Sequence, residues 1–283
     1  MRLATYNIEW MNNLFADDGA MLNDSGESGR FGVIRKDQIA ALCTVFQALD
    51  ADAVMVIEAP DHGRNRDTVT ALEAFAAHAG IRARKAIMGF GNDTQQEIAL
   101  LFDPDVMTVR HDPQSHDGAP RFDGTFAIDL DIDATEDMVV FSKPPLELAV
   151  ETVGGAQFRM IGAHLKSKAP HGANTRDEVL RISISNRRKQ LAQAIWMRAR
   201  IAAILEEGTS LILLGDLNDG PGLDEYEHLF GRSSVEIIMG EGETALFDPH
   251  ARQGLQRRLG AMPTTARFWI RPEQRYLQAL LDY

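Results

Sequence analysis

The chain has 283 residues, 45% of them hydrophobic, and no Pro/Gly/Ser-rich or like-charged stretch divides it, so a single domain over residues 1–283 is expected. A formal net charge of −12 disfavours tight, non-specific binding to duplex nucleic acid, without excluding a nuclease in which a metal and a few arginines offset the carboxylates. The apolar runs are too short for a membrane span, the start shows no signal-peptide pattern, and the single Cys43 excludes an internal disulfide framework, all of which fit a cytoplasmic location.

Residues 2–10 (RLATYNIEW) alternate Leu3, Thr5 and Asn7 against Ala4, Tyr6 and Ile8, the pattern of a strand that brings Asn7 and Glu9 to its C-terminal end. Residues 11–32, rich in Asn, Asp, Gly and Ser, read as a mobile loop whose acidic spacing falls short of a calcium loop. Ile39, Leu42, Val45, Phe46 and Leu49 form a helical stripe within 33–49. In residues 53–60 (AVMVIEAP) five apolar residues lead to Glu58, and Pro60 stops the strand. A lone Glu there is more often an ion-pair partner than a ligand. A second amphipathic helix is expected over 67–78, with His78 on the surface. Residues 97–102 and 106–109 read as a hairpin turned by Asp103-Pro104-Asp105. After a loop at 111–124, strands are expected at 125–131, 138–142 and 146–153. Runs of strands with helices between only some of them suggest mixed sheets rather than a doubly wound fold.

The next strand, 157–165, ends in His164-Leu-Lys-Ser-Lys168. A lone His on a strand is usually structural, but two lysines and a serine at its tip suit an anion. A long helix over 175–207 carries Leu191, Ile195, Ala199, Ala202 and Leu205 on one stripe, with Gly208 as its cap and Arg187, Arg188 and Lys189 on the solvated face. It feeds residues 211–219 (LILLGDLND), whose first four residues read as a strand buried on both faces. Asp216 and Asn218 follow on one side of the backbone, and Gly220-Pro221-Gly222 turns the chain away. Burying two such groups is unfavourable unless something binds them. They are either an Asx-type cap or a site for a metal, a water or a phosphate. A short helix is expected at 223–230, residues 231–275 carry no clear pattern, and 276–283 (YLQALLDY) form a strand with Asp282.

Asn7, Glu58, His164, Asp216, Asn218 and Asp282 thus each fall at or beside the end of an expected strand, more polar groups than chance would place there. Hard oxygen ligands without cysteine favour Mg²⁺ or Mn²⁺ over zinc. The chain has no phosphate-binding P-loop, no G-x-S-x-G elbow and no H-E-x-x-H helix. In family order, ATYNIEW, VMVIEAP, IGAHLKS, LLGDLND and LLDY resemble the endonuclease/exonuclease/phosphatase family, GDLND being the most specific of them.

The resemblance implies a four-layered α/β sandwich of two mixed β-sheets flanked by helices, and metal-dependent hydrolysis of a phosphate ester by a phosphodiesterase, nuclease or phosphatase. Matched residue by residue, it makes Glu58 the principal metal ligand with Asn7 beside it. Asp216 would orient the attacking water, Asn218 would hold a phosphate oxygen, and His164 would hydrogen-bond the phosphate. Lys166 would share the anion-facing wall with His164. The family also carries a C-terminal Ser-Asp-His, whose His is oriented by the Asp matching Asp282. The chain stops one residue after Asp282, so a C-terminally incomplete domain is expected. The alternative is a non-catalytic relative that binds a phosphorylated ligand or a protein partner.

Overall fold

The structure, a computed structural model, describes residues 1–129, 137–221, 231–256, 263–270 and 274–283. In chain order the elements are β1 (Leu3–Asn7), α1 (Arg35–Leu49), β2 (Ala53–Ala59), α2 (Thr68–Ala79), β3 (Lys85–Met88), β4 (Glu97–Phe102) and β5 (Met107–His111). There follow β6 (Phe126–Ile128), β7 (Asp137–Val139), β8 (Leu146–Thr152), β9 (Gln157–His164), α3 (Arg176–Glu206) and β10 (Leu211–Asp216). The last elements are α4 (Ser234–Met239), α5 (Pro249–Gln256), β11 (Ala266–Ile270) and β12 (Arg275–Ala279). They gather into two compact units. One comprises Met1–Pro113, Ser142–His164 and Ser210–Gly215, the other Gln114–Phe141, Leu165–Thr209 and Asp216–Tyr283.

The first unit holds two four-stranded sheets, in the orders β1-β2-β4-β3 and β10-β9-β8-β5. β1 runs parallel to β2, whereas β4 is antiparallel to β2 and β3. In the second sheet β5, β8 and β9 are antiparallel. β10 returns beside β9 after α3: Arg159 N–H donates to the Ser210 carbonyl and Leu165 N–H to that of Asp216, a constant offset that marks a parallel pair. Both sheets are therefore mixed, and with the flanking helices the chain has the α/β architecture expected.

β2 shows why its sequence is a nearly unbroken apolar run. Met55 and Ile57 point into the core between the sheets with Leu100, Leu148 and Met160, while Val54 and Val56 point to the other face, toward Phe46 of α1 and Phe75 of α2. Each of these side chains is almost fully buried, a gain of about 1.5–3 kcal/mol apiece. The sheets meet closely at Gly162, where a Cβ would fall 2.4 Å from the Met55 sulfur. In the second unit Trp196 of α3 anchors an aromatic cluster with Phe122, Phe126 and Phe141, and its indole N–H donates to the Pro120 carbonyl. Among the described residues no helix is long and apolar enough to cross a membrane.

Several local expectations change. β4 and β5 do not pair as a hairpin; β4 pairs with β2 and β3, and β5 with β8. The Asp103 carbonyl accepts from Val106 and Met107 N–H, making 103–105 a corner between the two sheets, which alternation alone cannot distinguish from a hairpin turn. The loop at 11–32 is anchored rather than loose, because Met11, Leu14 and Phe15 are buried and the Arg66 guanidinium donates to the carbonyls of Asn12, Phe15 and Ala16. Leu211–Leu214 are only partly buried, since β10 ends its sheet order among the described residues. On α3 the fully buried ridge runs through Arg187, Leu191, Ala194, Met197, Ile201 and Ile204, so of the expected stripe only Leu191 lies on it. Arg187 is buried, not solvated. The patternless stretch holds α4, α5 and β11, which pairs with β12 as a hairpin. The expected helix at 223–230 and residues 130–131 of the expected strand lie outside the described residues.

Gly215 sits in β10 with φ of 137°, and a Cβ there would lie 2.0 Å from the Ala163 carbonyl oxygen of β9. Backbone cannot yield as a side-chain tip can. Gly215→Ala is expected to destabilise the fold by about 3 kcal/mol or more, measured by urea unfolding. A loss below about 1 kcal/mol would mean that the β9–β10 contact is not as close as described.

Candidate functional site

The carboxylate of Glu58 stands at the end of β2 on a β-bulge, where the register with β4 shifts between Ile57 and Ala59. Glu58 itself has φ of 60°, a left-handed conformation that a non-glycine residue holds at a penalty of about 1–3 kcal/mol. The bulge turns its side chain out of the strand's alternation. Asn7, at the end of the adjacent β1, donates a side-chain hydrogen bond to the carboxylate, and Trp10 N–H donates another. The Asn7 Oδ1 accepts from Glu9 N–H at 3.1 Å, which closes the turn after β1. Burial pushes the Glu58 carboxyl above the usual range, and Glu9 adds to that, while Lys143 and the two donors pull against it. Glu58 lines an open cleft of about 50 Å³ with Trp10, Asn12, Thr94, Gln95 and Gln96. The far wall is fastened by Glu97, a fully buried carboxylate that accepts from the Asn92 side chain at 2.7 Å.

His164, the last residue of β9, is 5% exposed. The Lys143 ammonium lies 3.2 Å from its Nδ1 and 3.3 Å from its Nε2, within reach of whichever nitrogen carries no proton. Burial first and then the lysine charge hold the imidazole well below its ordinary pKa. It is a neutral donor–acceptor at pH 7. Lys143, in the turn before β8, carried no expected role, and nothing in its spacing marks it.

In the second unit Asp216 is 6% exposed, and its Oδ1 accepts from Asn218 N–H at 2.7 Å. Asn218 has φ of 51° and donates from its side-chain amide to the Leu165 carbonyl at 2.9 Å, leaving a second amide proton. Asp219, which carried no expected role, is buried among charges. It accepts from Lys168 and from Arg187, each at 2.8 Å, and from Ser234 N–H at 2.6 Å. Of the two strand-tip lysines, Lys168 is thus held by Asp219, whereas the Lys166 ammonium has no ion pair among the described residues. Burial and then Lys189 lower the Lys166 pKa. Asp282 bridges to Asp216 through the backbone. Its own Oδ1 is buried without a hydrogen-bond partner among the described residues, and burial raises its pKa.

Within one unit, then, Asn7 and Glu58 meet directly, with Lys143 acting on both Glu58 and His164. Within the other, Asp216, Asn218 and Asp282 share one backbone neighbourhood, with Lys166 on the adjoining segment. The endonuclease/exonuclease/phosphatase family model matches residues 4–283. The chain belongs to that family. Among solved structures it is similar to truncated Caenorhabditis elegans TDP2, at 15% identity over 64% of this chain and 54% of that one, with a TM-score of 0.35. It is similar also to ANGEL2, a 2′,3′-cyclic phosphatase, solved with adenosine-2′,3′-vanadate, at 13% identity, 80% and 55% coverage and a TM-score of 0.41. A third likeness is an endonuclease/exonuclease/phosphatase family protein from Bacteroides thetaiotaomicron, at 15% identity, 81% and 66% coverage and a TM-score of 0.42. The match spans about half the length of the TDP2 and ANGEL2 chains. No curated protein sequence matches the chain.

The neutral His164 of this family member gives a pH test of its burial. Its folded pKa lies below the unfolded value near 6.5, so below that pH the unfolded chain takes up a proton that the native one refuses. Its share of the stability is present above pH 6.5 and is lost as the pH falls toward the folded value, by at most about 1.4 kcal/mol per pH unit. Urea unfolding between about pH 7.5 and 5 should show that slope reduced in His164→Asn. Equal slopes in both proteins would show that His164 takes up its proton freely in the native state.

Proposed function

We propose that the chain is a divalent-metal-dependent hydrolase of phosphate esters. The observation that carries this reading is Glu58, a carboxylate presented from a strained bulge at a buried strand end, in a member of a family named for acting on such esters. Among the described residues no group of three or more His, Cys, Asp or Glu side chains forms a ready cage for a metal. The donor set at Glu58, with Asn7 oriented against it and Glu9 nearby, offers hard oxygens and few of them. That fits Mg²⁺ or Mn²⁺, which keep several waters and take one or two carboxylates, and it does not fit a closed zinc site. When bound, such an ion neutralises phosphate charge and acidifies a water.

The chain's own residues would do the rest. Glu58, aimed by Asn7 and the Trp10 N–H, would hold the ion. Neutral His164 would donate to a phosphate oxygen as charge builds, its other nitrogen held by Lys143. Asp216, fixed through its Oδ1, would orient a water, and the second amide proton of Asn218 would reach a phosphate oxygen. Lys166 would supply positive charge to the anion. Asp282, with a buried unpartnered oxygen, would orient a hydrogen-bond donor.

Titration calorimetry with Mg²⁺ and Mn²⁺ should show Glu58→Gln weakening affinity tenfold or more, roughly 1.4 kcal/mol. Because the Glu58 carboxyl is raised, its proton competes with the ion, so affinity in the native protein should begin to fall at a pH above the ordinary carboxylate range. Unchanged affinity in the variant would remove Glu58 as the ligand. Asp216→Asn should keep the melting temperature within a few degrees and cut turnover of bis-p-nitrophenyl phosphate or p-nitrophenyl phosphate by at least about a hundredfold. Metal binding without turnover of any diester or monoester in the native protein would favour the non-catalytic reading.

A further inference from the structure

α3 carries three buried polar residues at three-residue spacing, Arg187, Gln190 and Gln193, all less than a tenth exposed. This spacing stacks them on one helical ridge. Their partners are the chain segments that carry the expected site residues. Gln193 Oε1 accepts from Lys166 N–H at 2.8 Å. The Gln190 amide donates to the carbonyls of Leu217, at 3.2 Å, and Asn218, at 2.9 Å. Arg187 donates to Asp219 at 2.8 Å, to Ser234 Oγ at 3.1 Å, to the Arg232 carbonyl at 3.0 Å and to the Gln190 side chain.

A ridge needed only for stability would be served as well by leucines, because a buried ion pair rarely stabilises more than well-packed apolar residues of the same volume. What this ridge provides is geometry. Asn218 is held left-handed with both its backbone groups engaged, its N–H on Asp216 and its carbonyl on Gln190, while Arg187 fixes Asp219 one residue further on.

We propose that Arg187, Gln190 and Gln193 are positioning residues, a polar ruler on α3 that sets the conformation of residues 216–219 and of the Lys166 segment. They act through Asp216, Asn218 and Lys166 and do not themselves touch substrate. The kinetic part of this inference rests on the proposed hydrolase reading; the structural part does not.

The test compares native protein with Gln190→Met, which keeps length and removes both donors, and Arg187→Lys, which keeps a charge beside Asp219 but cannot reach its other partners together. Amide hydrogen exchange by NMR should accelerate about tenfold or more at Asn218 and Ser234, with amides in the middle of α3 unchanged. With Mg²⁺ or Mn²⁺ and bis-p-nitrophenyl phosphate, kcat should fall about tenfold or more while KM stays within about threefold. Unchanged exchange at 216–219 in both variants would overturn the proposal. So would acceleration spread evenly through α3, the mark of a structural pillar, or faster loop exchange with full kcat. If the native protein hydrolyses nothing, the hydrolase reading fails by itself and the exchange data alone decide whether the ridge sets the loop.

Discussion

Glu58 is a half-buried carboxylate at the tip of a strand that is apolar on both faces, so burial pushes it toward its protonated form, and the first unit brings compensating groups to it. β2 buries Met55 and Ile57 toward one sheet and Val54 and Val56 toward the helices, so both faces of the strand leading to Glu58 are packed with apolar side chains. Even partial removal of a carboxylate from water favours its neutral form, which hydrogen bonds to the charged form offset. Two donors, Asn7 at the end of the neighbouring strand and the Trp10 N–H in the turn after it, act with the positive charge of the distant Lys143. The parallel register of β1 and β2, with Asn7 opposite Ile57, puts Asn7 beside the bulge. The balance still favours the proton relative to a free glutamate. On the proposed hydrolase reading, a cation would displace that proton.

The second unit meets a related problem with the opposite solution. Asp219 is as buried as a carboxylate can be, with 1% of its side chain exposed, yet it sits between a lysine and an arginine and accepts a backbone N–H as well. Every strong acceptor position on it has a donor. Truncating Arg187 would leave a buried charge short of its partner, which is far more damaging than never having had the pair. Glu58 is left partly compensated and Asp219 fully compensated, and this difference fits the proposed division between a carboxylate that binds an ion and one that holds a loop in place.

Much of this was legible in the sequence, and the failures have physical causes. Strand ends were readable because an apolar run that stops at a polar residue is a local pattern; Asn7, Glu58, His164 and Asp216 all stand where that pattern put them. Lys143 was not readable, since it reaches His164 and Glu58 through the fold from a turn with no periodicity. Arg187 was misread because hydropathy counts an arginine as solvated, whereas a guanidinium can be buried when several acceptors surround it. The β4–β5 corner was misread because two alternating strands around Asp-Pro-Asp look the same whether they pair or part. Only the identity of their partners decides, and those lie far away in sequence.

Backbone strain follows the same division. Non-glycine residues with positive φ include Trp10, Glu58 and Gln95, three of the residues that line the cleft, and Asn218 in the Asp216–Asp219 loop. Each holds an unfavourable conformation at about 1–3 kcal/mol, so such positions persist only where neighbouring structure over-determines them. That over-determination is visible on every side of the cleft. Arg66 grips the three carbonyls that follow the Trp10 turn. The doubly buried β2 carries the bulge at Glu58. Asn92, tied to Glu97, closes the loop that contains Gln95 by donating to the Gln96 carbonyl at 3.2 Å. Loops free to relax would let these residues return to ordinary backbone and turn the side chains away. The rigid core and its buried polar clamps are thus what keep strained residues presenting their side chains.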